Sequence, residues 1–194
     1  MSVYNELKEI IKKHKAHPFY QTHTWGGKVI NKGIRGIERR KLIDLKDIKG
    51  KRILDLGCST GAESIWAVEN QAFAALAMEK DPEKIKIVDE LFEALEKAGI
   101  NNIDYMSIDL TNTLAEGILC DTIFCFAVTQ YLGYRKIWHE VPSATVIYVE
   151  GGGDSGYTEE SLTDDKYIAK KIGMTPGNSK DMRLIRPLFR IVKR

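Results

Sequence analysis

The stretch Leu54-Asp55-Leu56-Gly57-Cys58-Ser59-Thr60-Gly61 decides the reading of this 194-residue chain. Arg52-Ile53-Leu54-Asp55-Leu56 has the length and apolar character of a short buried strand. The glycines that follow let the backbone turn tightly and let a ligand come close to the main chain. Their spacing is Gly-x-x-x-Gly. That is neither the Gly-x-Gly-x-x-Gly of dinucleotide sites nor the Gly-x-x-x-x-Gly-Lys-Ser/Thr of phosphate-binding loops. Without the lysine and the third glycine, the loop suits a nucleoside that carries no phosphates.

Outward from this turn the chain alternates helices and strands. Ala62 to Asn70 reads as a helix, and Phe73 to Glu79 as a second strand weakened by its alanines. Pro82 opens a helix that runs to about Ala98 and stops at Gly99. Ile103 to Ile108, Asp121 to Phe126 and Ala144 to Glu150 read as three further strands. Thr158 to Lys171 reads as a last helix and Leu184 to Val192 as a final strand, which Pro187 assigns to an edge or a bulge. Ile172-Gly173-Met174-Thr175-Pro176-Gly177 is a poor strand. This alternation predicts an α/β fold: a doubly wound, mostly parallel sheet with helices on both faces.

Ligands of such sheets sit outside the carboxyl ends of the strands, where the strand order reverses. Glu79 ends the second strand 22 residues after Gly57. An acid at an offset of about 20 residues can accept hydrogen bonds from both ribose hydroxyls. Asp109, in Ser107-Ile108-Asp109-Leu110, ends the third strand, where a carboxylate can accept from the exocyclic amine of adenine. Either acid alone is equally readable as a cap or turn residue. Three consecutive strand ends that offer a loop, a ribose acid and a base acid form a much stronger pattern.

These residues resemble a known family. Leu54 to Gly61 resembles the first motif of class I S-adenosylmethionine-dependent methyltransferases. Met78-Glu79-Lys80-Asp81-Pro82 resembles their acidic second motif, and Ser107-Ile108-Asp109 their adenine-side motif. The segment from Asp121 to Leu132 looks like their fourth strand and the loop after it. The resemblance covers roughly residues 50–150. It implies a Rossmann-like seven-stranded sheet with an antiparallel last hairpin, and S-adenosyl-L-methionine as the cofactor. It further implies that Asp55, Gly57 and Gly61 hold the amino-acid end of that cofactor, Glu79 the ribose and Asp109 the adenine. Cys58, Ser59 and Phe126 complete the candidate binding set. Ser59 stands where the family's third small loop residue is usual. A narrower resemblance links Phe19-Tyr20-Gln21, Gly36-Ile37-Glu38-Arg39-Arg40 and Lys49 to Asp55 with the lead-in of enzymes that modify the tRNA wobble uridine. The larger substrate-binding regions of those enzymes have no counterpart in these residues.

The region before the motif divides into a helix from Val3 to about Lys15, a Gly- and aromatic-rich loop or hairpin over residues 19–34, and a helix from Ile37 to Leu45. We therefore expect one domain, with residues 1–49 as an N-terminal helix, lid and basic helix and residues 50–194 as the binding core. Tyr20 and Trp25 are readable as a lid whose aromatic faces suit a sulfonium, or as simple packing. Between Lys28 and Lys41 six basic residues (Lys28, Lys32, Arg35, Arg39, Arg40, Lys41) accompany one acid, Glu38. That run is readable as an RNA-backbone patch or as a solvated helix face. The alternative partner is a small-molecule acceptor. Candidate catalytic groups near the ends of strands four and five are Gln130, Tyr131 and Glu150. A general base is needed only if the acceptor must lose a proton. A catalytically silent cofactor-binding module or partner subunit is the other reading. A nicotinamide oxidoreductase is disfavoured by the glycine spacing.

Composition limits the remaining classes. Hydrophobic residues make up 43% and charged residues 29%, a globular balance. A net charge of +2 gives no global field toward nucleic acid. No apolar run is long enough to span a membrane, and Met1 to Glu6 lacks a signal-peptide layout. Cys58, Cys120 and Cys125 suit reduced thiols in a cytoplasm, the last two as core filler. His14, His17 and His23 lack close acidic or cysteine partners in sequence, so they read as solvated loop residues, with no metal site expected. His139 reads as a helix residue rather than a base.

Overall fold

Along β3 (Arg52–Leu56) successive side chains enter opposite faces of one sheet. Leu54 and Leu56 join Ile123, Cys125, Ile147 and Val149 on one side, while Ile53 joins Phe124, Phe126 and Tyr148 on the other. In this computed structural model all residues are described except 1, 18, 112–113, 115–116, 127–135, 152–156 and 177–184. The other strands of the sheet are β4 (Ala74–Glu79), β5 (Ile103–Ser107), β6 (Thr122–Phe126), β7 (Val146–Glu150), β8 (Tyr167–Thr175) and β9 (Arg186–Lys193), in the order β5-β4-β3-β6-β7-β9-β8. The first five are parallel. β9 runs antiparallel to both β7 and β8. β4 and β6 flank β3 on opposite sides, so the strand order reverses there and the ligand crevice is expected at its carboxyl end.

Three helices cover one face: α1 (Val3–Lys13), α2 (Ala62–Glu69) and α3 (Pro82–Lys97). Leu7 and Ile11 of α1, Ile65 of α2 and Leu91 of α3 share one core cluster with Ala77 of β4. The small alanines of β4 leave room for these helices, which explains an alanine-rich strand. α3 begins where Asp81 accepts from the Glu83 amide at 3.0 Å, and it ends before Gly99, at φ 85°. The opposite face is covered by a 3-10 turn, Ile137–Glu140, through Trp138, and by the short α4 (Glu159–Leu162) through Leu162.

The C-terminal region departs from the sequence reading. Thr158 to Lys171 is not one helix: α4 lasts a single turn, closed by a reciprocal cap between Thr158 and Ser161. Asp164 then accepts from the Lys166 and Tyr167 amides, and the chain turns into β8. Tyr167 and Ala169 are buried while Ile168 and Lys170 are exposed, a period of two that pairing with β9 enforces over helix propensity. β8 continues through Gly173, where a Cβ would lie 2.7 Å from Leu42, and its register is irregular between Lys171 and Gly173. β9 lies inside the sheet, not at an edge. Pro187 is tolerated near its start, and the Pro187 carbonyl accepts from the Gly151 amide at 3.0 Å.

In place of the helix expected from Ile37 to Leu45 the chain forms two 3-10 turns, Glu38–Leu42 and Leu45–Asp47. Ahead of them β1 (His23–Trp25) and β2 (Lys28–Asn31) make a hairpin turned at Gly26 and Gly27. Among the described residues no helix is long and apolar enough to cross a membrane.

Candidate functional site

The loop after β3 turns through three left-handed residues: Gly57 (φ 66°), Ser59 (φ 55°) and Gly61 (φ 75°). Ser59 carries a side chain in a region that costs an L-residue about 1–2 kcal/mol, so the loop must be held from outside. Glu79 holds it. Its Oε2 accepts from the Ser59 amide at 2.9 Å, and its Oε1 accepts from the Lys80 and Asp81 amides at 2.9 and 3.1 Å. A carboxylate has about four acceptor sites, so Glu79 can brace the loop and still receive a hydroxyl. Gly61 has its own packing constraint, because a Cβ there would meet the Phe92 ring at 3.0 Å. The hydroxyls of Ser59 and Thr60 are buried and have no hydrogen-bond partner among the described residues.

Asp55 lies inside the sheet end, 1% exposed, and accepts from the Ser64 hydroxyl of α2 at 2.7 Å. Burial lifts its carboxyl to about 7 against the opposing Ser64 hydrogen bond. Cys58 is fully buried and burial pushes its thiol pKa up, which makes it a packing group and not a nucleophile. Asp109 follows β5. Hydrogen bonds from the Thr111 amide and hydroxyl, with Lys80 at 3.3 Å, hold its carboxyl below the usual range. The fold thus brings Asp55, Gly57, Ser59, Gly61, Glu79 and Asp109 to neighbouring ends of β3, β4 and β5. Phe126, at the end of β6, stacks on Phe124 on the other side of β3. Gln130 and Tyr131 lie outside the described residues.

A buried ion network adjoins this loop, and nothing in the sequence reading anticipated it. Arg39 donates to Glu63 at 2.7 and 3.1 Å and to Glu150 at 3.4 Å, and Arg40 donates to the other oxygen of Glu63 at 2.8 Å. Arg35 donates to Glu150 at 2.8 Å, and the Thr175 hydroxyl bonds the same carboxylate oxygen. Arg40 also caps the Thr22 and Ala62 carbonyls, and Arg39 lies 4.4 Å over the Phe126 ring. Burial alone would raise the Glu63 carboxyl, but Arg39 and Arg40 pull it down to about 2. Glu150 is fully buried and hydrogen-bonded by two guanidinium groups, with a third, that of Arg186, 3.8 Å away. Arg35, Arg39 and Arg40 are removed from the proposed surface patch, which leaves Lys28, Lys32 and Lys41 exposed. The available signal is Glu63, the one charged residue among the buried positions Ala62 to Ala67 of α2.

His23 also differs from the sequence reading. It is 1% exposed, its Nε2 faces the Thr60 carbonyl at 3.0 Å and its Nδ1 faces Asn31, and burial lowers its pKa to about 4. The hairpin is thereby latched to the glycine loop. Gln21, with its amide oriented to satisfy both neighbours, donates to the Cys58 carbonyl and accepts from Arg39. Trp25 packs against the cluster that contains Leu91. His14 lies 3.0 Å from Glu90, and His139 pairs with Asp164. No cluster of three or more metal-ligating side chains occurs among the described residues. A shallow groove lined by Arg52, Ala75, Asn102 and Leu119 opens at the amino ends of β3 to β5, the opposite end of the sheet.

No protein-family model matches the chain, and no curated protein matches it in sequence. Solved structures match its fold. The bifunctional kinase-methyltransferase WbdD superposes with a TM-score of 0.66 at 16% identity, over 96% of this chain and 45% of its own. TrmK of M. capricolum, solved with S-adenosyl-homocysteine, gives 0.62 at 16% identity over 83% and 70%. A dimethyladenosine transferase from Plasmodium falciparum gives 0.57 at 18% identity over 80% and 60%. The chain has the class I S-adenosylmethionine-dependent methyltransferase fold. It spans less than half of the WbdD chain.

Proposed function

We propose that the chain is an S-adenosylmethionine-dependent methyltransferase. The observation that carries this reading is the Glu79 brace. One carboxylate fixes the strained Ser59 amide at 2.9 Å and lies between Asp55 on β3 and Asp109 beyond β5. In this reading Asp55, Gly57 and Gly61 receive the amino-acid end of the cofactor, Glu79 the ribose hydroxyls and Asp109 the adenine amine. Cys58, Ser59 and Phe126 shape the walls. The buried hydroxyls of Ser59 and Thr60 supply two uncommitted hydrogen-bonding groups beside that path. The cofactor supplies an electrophilic methyl group for in-line displacement. The chain's own residues position the acceptor and exclude water, with the His23 hairpin latched over the loop. Glu150 serves here as the anchor of Arg35 and Arg39 rather than as a base. The protein acts on a small molecule or on RNA. RNA is the less favoured acceptor, since three of the six basic residues in 28–41 are buried.

Calorimetry with S-adenosylmethionine, S-adenosyl-homocysteine and NAD tests the cofactor. The first two should bind and NAD should not. Glu79→Ala should weaken S-adenosylmethionine at least tenfold, and binding equal to wild type defeats the ribose assignment. Incubation with methyl-labelled cofactor against RNA, protein and metabolite fractions then locates the acceptor. Tight binding with no label in any fraction selects the silent binding module instead.

A further inference from the structure

The ion network is not neutral. Four guanidinium groups, those of Arg35, Arg39, Arg40 and Arg186, share two carboxylates, Glu63 and Glu150. Two positive charges are left over, and an ionised Asp55 offsets at most one. Arg186 is the least satisfied member. Its Nη1 is 3.8 Å from Glu150, beyond hydrogen-bond reach. Its Nε and Nη1 are buried and have no hydrogen-bond partner among the described residues. Its side chain is 11% exposed. Buried cationic donors without partners are costly, and a guanidinium fork matches a carboxylate or phosphate two oxygens at a time.

The location is informative. Arg186 opens β9, two residues beyond the Leu188–Glu150 pair, so it stands past the carboxyl end of β7. β6 and β7 are in register at Phe126 and Glu150. The cluster therefore sits at the same end of the sheet as the glycine loop, but beyond β6 rather than beyond β4. Cofactor groups are assigned to the β3–β5 side, so the β6–β7 side is where an acceptor lies beside the methyl group.

We propose that Arg186 is the anion anchor of the acceptor site and that the acceptor is a small acid bearing a carboxylate or phosphate. Burial of both donors favours a terminal oxyanion that can enter the protein over a phosphodiester flanked by two esters. This proposal rests on the methyltransferase reading for the role of the anion and on the structure alone for its existence.

The test uses inorganic phosphate and acetate as probes, with chloride at matched ionic strength as the control. Saturating probe should raise the melting temperature of the wild type by about 3–5 °C over chloride, and Arg186→Gln should lose that increment. In a protein with labelled arginines, the Arg186 Nε–H resonance should shift saturably with the probe. The spectrum reads the site in the wild type even if the variant folds poorly. An equal increment in wild type and variant, or an Arg186 resonance indifferent to both anions, overturns the proposal. Displacement of phosphate by an RNA oligomer at lower concentration than by small phosphomonoesters overturns the small-acid assignment. Calorimetry with S-adenosylmethionine on the wild type is read separately: failure there with a retained anion response discards the methyltransferase reading and leaves the anion site standing.

Discussion

Burial moves Asp55 and His23 in opposite senses. Asp55 titrates at about 7 in the folded chain against an ordinary 3.8, so its protonated form is favoured, and its contribution to stability is lost as pH rises from 3.8 through 7. His23 titrates at about 4 against 6.5, so its neutral form is favoured, and its contribution is lost as pH falls from 6.5 toward 4. Between pH 5 and 6.5 the two oppose each other, each with a slope of up to about 1.4 kcal/mol per pH unit. Urea midpoints of the wild type should change little across that window because of this pair. Those of Asp55→Asn should rise with pH, since the His23 slope is then unopposed; a flat variant refutes the burial argument. Asp55, Glu79 and the glycines were legible in sequence because short, ordered spacings link them to one strand end and the next. The arginine network was not, because Arg35 and Glu150 are 115 residues apart and a basic run looks the same whether solvated or buried.

At the scale of elements, the strands β3 to β7 and the helix α3 follow directly from apolar runs, Asp81-Pro82 and Gly99. The errors lie where pairing, not local pattern, decides. β8 exists because β9 offers a ladder, and its Lys170-Lys171-Ile172-Gly173 stretch carries little strand signal of its own. The link between Gln21 and Arg35 is a similar case. The two residues bridge in parallel, and Gly33 sits so close that a Cβ would lie 2.3 Å from the Gln21 carbonyl carbon. Gly33→Ala must push that backbone aside, and with it the segment that carries Arg35 into the network. We expect a loss of about 1–3 kcal/mol in chemical unfolding. The same change at Gly50, which has no atom within 4 Å of the added Cβ, meets only the strain of its φ of +70°.

For the molecule as a whole, charge placement sets what a polyanion can feel. In residues 28–41 only Lys28, Lys32 and Lys41 are exposed among the basic residues. If that region meets RNA, it neutralises about three phosphates, and affinity should fall by roughly 20- to 40-fold between 50 and 200 mM salt. Fluorescence titration measures the slope. A loss above a thousandfold requires six or more contacts, more than the three exposed lysines of this region supply.

The same burial has a consequence for synthesis. Arg35 ends up against Glu150 and Thr175, which lie 115 and 140 residues later in the chain. At translation rates of about 5–20 residues per second, roughly 6 to 28 s pass between the appearance of this arginine and the appearance of its partners. Throughout that interval the lead-in segment can dock on the glycine loop through His23 and Gln21 and can pair Arg39 and Arg40 with Glu63, while the Arg35–Glu150 pair must wait. Arg35 therefore waits on β7 and β8, and it reaches its native charge pairing only after both strands have been made.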